Sequence, residues 1–90
     1  MNIMDYITDK PITRSELVAL TGMSDRLVRK AIEQARVDGN IIINLQDGRG
    51  YFVTDDPAVL AHQYNINQSR AMSVLVQQKF ISRKLKELEK

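Results

Sequence analysis

A chain of 90 residues suffices for one small domain with an appended element, and its 43% apolar and 27% charged residues exclude a disordered protein. Because cysteine is absent, disulfides and thiolate metal sites are excluded as well. The net charge is +2, but residues 1–54 carry seven basic and seven acidic side chains, so overall charge alone does not indicate nucleic-acid binding.

The sequence lacks the features of membrane insertion or export. Its first ten residues contain no basic segment followed by an apolar one, as a signal peptide would. No apolar run approaches the roughly 20 residues of a membrane span. We therefore expect a cytoplasmic protein without membrane contact. Because a chain of this length forms only a small core, we also expect a partner chain to contribute to its stability.

The first third of the chain predicts short helices. Residues 3–7 are expected to form one, and Ile12 to lie in an extended connector. The sequence TRSE at 13–16 is a capping box, which marks the start of a second helix. Gly22 is expected to end this helix, because glycine adopts the left-handed conformation at low cost. Its apolar face would carry Leu17, Val18 and Leu20.

A third helix is predicted over residues 25–38. Ser24 is placed to cap it and Gly39 to close it. With a period of 3.6 residues, one face is apolar and the opposite face is charged. The apolar face consists of Leu27, Val28, Ala31, Ile32 and Ala35. The charged face consists of Arg26, Arg29, Lys30, Glu33 and Arg36.

Two segments rich in β-branched and aromatic residues follow, at 41–45 and 51–53. Asp47-Gly48 between them is a strong hairpin-turn dipeptide, and the connecting loop, 46–50, ends in Gly-Arg-Gly. The pattern predicts an antiparallel β-hairpin, with the connector at Ile12 able to act as a third strand.

The last third predicts helix. Pro57, after two aspartates, is typical of a helical first turn, and the helix is expected to reach about Tyr64. Residues 65–67 are expected to form a joint, although the sequence leaves open whether the two helices merge. From 67 to 88 there is neither glycine nor proline.

The helix over 67–88 carries two apolar stripes on nearly opposite faces. One consists of Met72, Leu75, Val76 and Phe80. The other consists of Val74, Ile81, Leu85 and Leu88. One stripe is expected to pack on its own domain and the other on a second molecule. Val74, Ile81, Leu85 and Leu88 are predicted to form the homodimer interface, because residues 81, 85 and 88 have the four-then-three spacing of a coiled-coil seam.

The order of these elements resembles the winged helix-turn-helix family of DNA-binding proteins over residues 3–54. Within SELVALTGMSDRLVRKAI, Leu17 stands at the family's apolar position, Gly22 at the turn, Met23 just after it, and Ser24 at the cap of the recognition helix. One position departs, since Val18 stands where the family prefers alanine. In length and order the chain also resembles small prophage-type transcriptional regulators of Gram-positive bacteria.

This resemblance implies a mainly α fold with a small β-hairpin, of the α+β class. Residues 1–55 would form the winged helix-turn-helix domain and residues 56–90 a C-terminal helical extension containing the dimerisation helix. The helix 25–38 would enter the major groove, and loop 46–50 would contact the DNA backbone or minor groove. The expected DNA-binding residues are Thr13, Arg14, Ser15, Ser24, Arg26, Arg29, Lys30 and Arg49.

Each of these assignments has a simpler alternative. The basic side chains of helix 25–38 can be solvated, with Glu33 pairing with Arg29 or Lys30 at helical spacing. The 46–50 loop can be flexible only, and the basic tail at 82–90 can be a solvated helix end rather than a surface for membrane or phosphate.

Catalysis finds no support, because His62 has no neighbouring cysteine or paired acid and DGRGY lacks the context of a phosphate-binding loop. We expect no enzyme, no cofactor and no metal. The sequence favours a dimeric transcriptional regulator that binds double-stranded DNA. The alternative is a winged-helix protein–protein interaction module without DNA binding, such as a phage replication adaptor or a host-directed inhibitor.

Overall fold

A computed structural model of the protein describes residues 2–89, so the outer ends of the two predicted domains, at residues 1 and 90, lie outside the described residues. The chain begins with a short 3-10 helix, Ile3–Asp5, which is briefer than the helix predicted over 3–7. Three α-helices follow. They are α1 (Arg14–Thr21), α2 (Asp25–Val37) and α3 (Pro57–Leu88).

The predicted signals at the helix ends are confirmed. At α1, the Thr13 hydroxyl accepts from the Glu16 backbone N–H while the Glu16 carboxylate accepts from the Thr13 N–H, each at 3.1 Å. Gly22 ends α1 in the left-handed conformation, at φ 73°. Ser24 caps α2 by accepting from the Leu27 N–H. These bonds join residues three positions apart, so the local sequence is sufficient to specify them.

The core lies between α1, α2, the N-terminal segment and the extended segments. Its buried residues are Ile3, Ile7, Leu17, Val28, Ile32, Ala35, Ile42, Ile43 and Tyr51. Two predicted core positions are wrong. Leu20 and Leu27 stand on either side of the α1–α2 turn and remain 61% and 51% exposed, so the buried stripes of both helices are narrower than their apolar patterns suggest.

The predicted β-hairpin is wrong, and with it the α+β winged fold. Within residues 2–89 the extended segments form no sheet, and they touch through two isolated antiparallel bridges, Ile43 to Phe52 and Ile12 to Tyr51. On the loop side the pairing stops because Gln46 and Gly50 have positive φ angles, 62° and 106°, and leave the extended conformation. The Asn44 N–H lies on the edge of the segment away from Phe52 and donates to the Gln63 side chain at 2.8 Å.

The two predicted C-terminal helices form one continuous helix, since no residue at 65–67 breaks it. Its first turns contact the domain, with Val59, Leu60, Gln63 and Ile66 half-buried. Every described residue beyond Ile66 is exposed. The expectation that one apolar stripe covers the chain's own domain is therefore wrong, because an unbroken helix runs away from the domain instead of folding back. No helix in residues 2–89 combines the length and apolarity needed to cross a membrane.

Candidate nucleic-acid interface

The N-terminal ends of α1 and α2 are held together by one carboxylate. Asp25 accepts a hydrogen bond from Arg14 Nε at 2.6 Å, and its second oxygen lies 3.2 Å from Arg29 Nε. The bond to the Asp25 carboxylate, with a smaller contribution from Tyr51, raises the pKa of Arg14 above its usual value. Two of the predicted DNA-binding arginines thus meet at one place, bridged by the Asp25 carboxylate.

Both capping hydroxyls lie at this junction. Thr13 and Ser24 each use an oxygen lone pair to accept a backbone N–H, at 3.1 and 3.2 Å. A hydroxyl that accepts in this way still has its own proton to donate. Ser15, in the first turn of α1, is exposed as well. The junction therefore offers hydroxyl donors and helix N-termini, a combination suited to phosphate oxygens.

Two basic side chains of α2 project without an ion-pair partner among residues 2–89. Arg26 and Lys30 are both exposed, on the side of α2 opposite the buried residues Val28 and Ile32. Arg29 pairs with Asp25, and among residues 2–89 Glu33 forms no ion pair with either Arg29 or Lys30, the two partners that helical spacing offered it.

Arg36 belongs to the fold rather than to this surface. Its guanidinium donates to the backbone carbonyl of Ile42 at 3.1 Å and lies 5.9 Å from the centre of the Tyr51 ring. The sequence placed Arg36 on the charged face of α2, but the non-local contacts turn its side chain toward the extended segments.

Loop 46–50 is built around an internal ion pair. Asp47 accepts from the backbone N–H of Arg49 at 3.1 Å and from its Nε at 2.7 Å. The Arg49 hydrogen bond lowers the pKa of Asp47 below its usual value, and the same contact raises the pKa of Arg49. Arg49 remains 63% exposed, so it is accessible, but it must exchange Asp47 for any other anion that it binds.

Gly50 fixes the loop beside the start of α1. A Cβ at this position would overlap the backbone carbonyl of Ile12 and crowd the N–H of Thr13, and the residue has a φ of 106°. Tyr51, the next residue, exchanges two backbone hydrogen bonds with Ile12 at 2.8 and 2.9 Å. The backbone at Gly50 and Tyr51, directly after Arg49, thereby lies against Ile12 and Thr13, a proximity that sequence spacing does not reveal.

Comparisons with family models, curated proteins and solved structures found no match to this chain. Among residues 2–89, no three side chains of the types that bind metal ions come together.

Proposed function

We propose that this protein is a dimeric transcriptional regulator that binds double-stranded DNA sequence-specifically through a helix-turn-helix formed by α1 and α2. In this proposal α2 lies in the major groove with its N-terminal half toward the bases, as recognition helices do. The major groove is about 12 Å wide and accepts one helix. Contacts to bases or phosphates come from Arg26, Arg29 and Lys30.

A single observation carries the proposal. The N-terminal half of α2 exposes basic side chains on the face opposite its buried residues, and the N-terminus of α1 adds Arg14 beside it through Asp25. A three-residue turn, 22–24, sets the two helices in this relation. Thr13, Ser15 and Ser24 then donate to the DNA backbone, and Arg49 approaches the backbone or minor groove from loop 46–50.

The salt dependence of binding tests the proposal. We expect the protein to bind random-sequence duplex DNA at low salt. The logarithm of the binding constant should fall linearly with the logarithm of the salt concentration, because each neutralised phosphate releases counterions. Fluorescence anisotropy of a labelled duplex between about 50 and 200 mM salt measures the slope, and each phosphate contact contributes about 0.9 to its magnitude. If micromolar protein leaves every duplex unbound at low salt, the proposal is wrong.

A second candidate is a protein–protein interaction module without DNA binding. It is favoured by the ion pairs themselves, since Arg14, Arg29 and Arg49 are each already bound to an aspartate. The exposed Leu20 and Leu27 would suit a protein partner better than a phosphate backbone. In this case the salt titration shows no binding to duplex DNA.

A further inference from the structure

The distal part of α3 projects as an isolated helix with exposed apolar side chains. The protein has a radius of gyration of 17.0 Å and a longest dimension of 54 Å, whereas a compact chain of this length has a radius of gyration of about 12 Å. Val74, Ile81, Leu85 and Leu88 are between 54% and 70% exposed. A lone helix in water does not retain such a surface without a partner.

These exposed residues continue the face by which α3 contacts its own domain. Leu60 and Gln63 lie against the extended segment, with Gln63 accepting from the Asn44 N–H. Asn67 and Arg70 follow on the same side and line a cleft with Arg36. At about 100° per residue, Val74, Ile81, Leu85 and Leu88 fall on that side too.

We propose that this face, from Ala71 to Leu88, pairs with the same segment of a second copy in antiparallel orientation. Alternating spacings of three and four residues define three layers. Ala71 faces the partner's Leu88, Val74 faces the partner's Leu85, and Gln78 faces the partner's Ile81, with each pair repeated by symmetry. The inference rests on the dimer of the proposed function but not on its DNA binding.

Steric exclusion selects the antiparallel orientation. In a parallel pair, the partner's domain would arrive at the same end and on the same side of the helices as this chain's domain, where Leu60 and Gln63 already hold it. In the antiparallel pair, the two domains lie at opposite ends. A parallel pair would gain only an exposed contact between Lys84 and Glu89, and such ion pairs contribute little.

The opposite stripe is a poorer seam. Met72, Val76 and Phe80 span little more than two turns, and the guanidinium of Arg83 lies 5.8 Å from the centre of the Phe80 ring. The stripe from Val74 to Leu88 extends over about four turns at 3.6 residues each.

Cysteine cross-linking tests the orientation, because the natural chain contains no cysteine. Ala71→Cys and Leu88→Cys variants are treated, separately and mixed, with a thiol cross-linker. The reagent joins sulfur atoms at separations from that of a disulfide bond up to about 10 Å. We expect cross-linked dimer only in the mixture, since two copies of the same position lie about 26 Å apart, which is 17 residues at about 1.5 Å each. Cross-linking of either variant alone would establish a parallel pair, and no cross-linking in any sample would also overturn the proposal.

The solution mass separates a wrong orientation from a missing dimer. We expect a Leu85→Lys/Leu88→Lys variant to have the mass of a monomer, and a matched Val76→Lys/Phe80→Lys variant to retain that of a dimer. Helical content by circular dichroism controls for folding. A dimer that survives the first variant and is lost in the second would place the interface on the opposite stripe, whereas the DNA titration on each variant reports separately on the proposed function.

Discussion

Replacing Gly50 with alanine is expected to destabilise the protein by about 3 kcal/mol or more. The added methyl group would overlap the Ile12 carbonyl, and a left-handed φ is itself strained for a residue with a side chain. Because such domains are stable by only about 5–15 kcal/mol, this is a large fraction of the total. Urea denaturation followed by circular dichroism measures the change.

Gly48→Ala is the matched control. Gly48 also has a positive φ, 87°, but a Cβ there would meet no atom within 4 Å. We therefore expect only the conformational cost of the left-handed region, about 1–2 kcal/mol. Equal losses for the two variants would mean that the close approach of loop 46–50 to Ile12 and Thr13 does not form.

A double variant, Arg26→Ala/Lys30→Ala, is expected to weaken DNA binding at least about 30-fold at fixed salt. Each side chain is exposed without an ion-pair partner in the described residues, so each is available for a contact worth about 1 kcal/mol or more. Because neither side chain supports the core, the free energy of unfolding should change little. Anisotropy titration and urea denaturation of the same preparations measure both quantities.

The control for this variant removes the same charge elsewhere. Lys79 and Lys86 are exposed on α3, and a Lys79→Ala/Lys86→Ala variant should bind DNA within a few-fold of the wild type. If the two double variants lose affinity equally, binding follows net charge and α2 is not the recognition surface.

Local chemistry accounts for what the sequence predicts correctly. The capping box at 13–16, the caps at Gly22 and Ser24, and the closure of α2 all depend on residues within one turn. After α2, Gly39 and Asn40 donate to the carbonyls of Arg36 and Ala35, which is the hydrogen-bond pattern typical of a helix followed by glycine.

The features that the sequence misses depend on distant partners. The predicted hairpin stops at a single bridge because Gln46 and Gly50 leave the extended conformation, and Gly50 packs against the distant backbone of Ile12. The bridge from Arg14 to Asp25 joins residues 11 positions apart. Local signals do exist for two other pairs, because Asp25 and Arg29 have i,i+4 spacing and Asp47 and Arg49 fit an aspartate turn.

In the candidate site, too, the sequence predicts the features that depend on local residues and misses those that depend on distant ones. The sequence correctly identifies exposed basic residues on α2, because helical periodicity assigns their face. Two of the three arginine–aspartate pairs have a local signal, but the sequence does not reveal the bridge from Arg14 to Asp25, nor that Arg36 supports the fold. Base or phosphate contacts by Arg14, Arg29 and Arg49 therefore require the exchange of one carboxylate for another anion.

Selection of bound duplexes from a random library tests sequence-specific DNA binding most directly. A dimer with two-fold symmetry is predicted to enrich an inverted repeat, because each α2 reads one half-site. Arg29→Ala should then change the base preferred within each half-site rather than lower all affinities equally. A bound pool indistinguishable from the input library would contradict the proposed function.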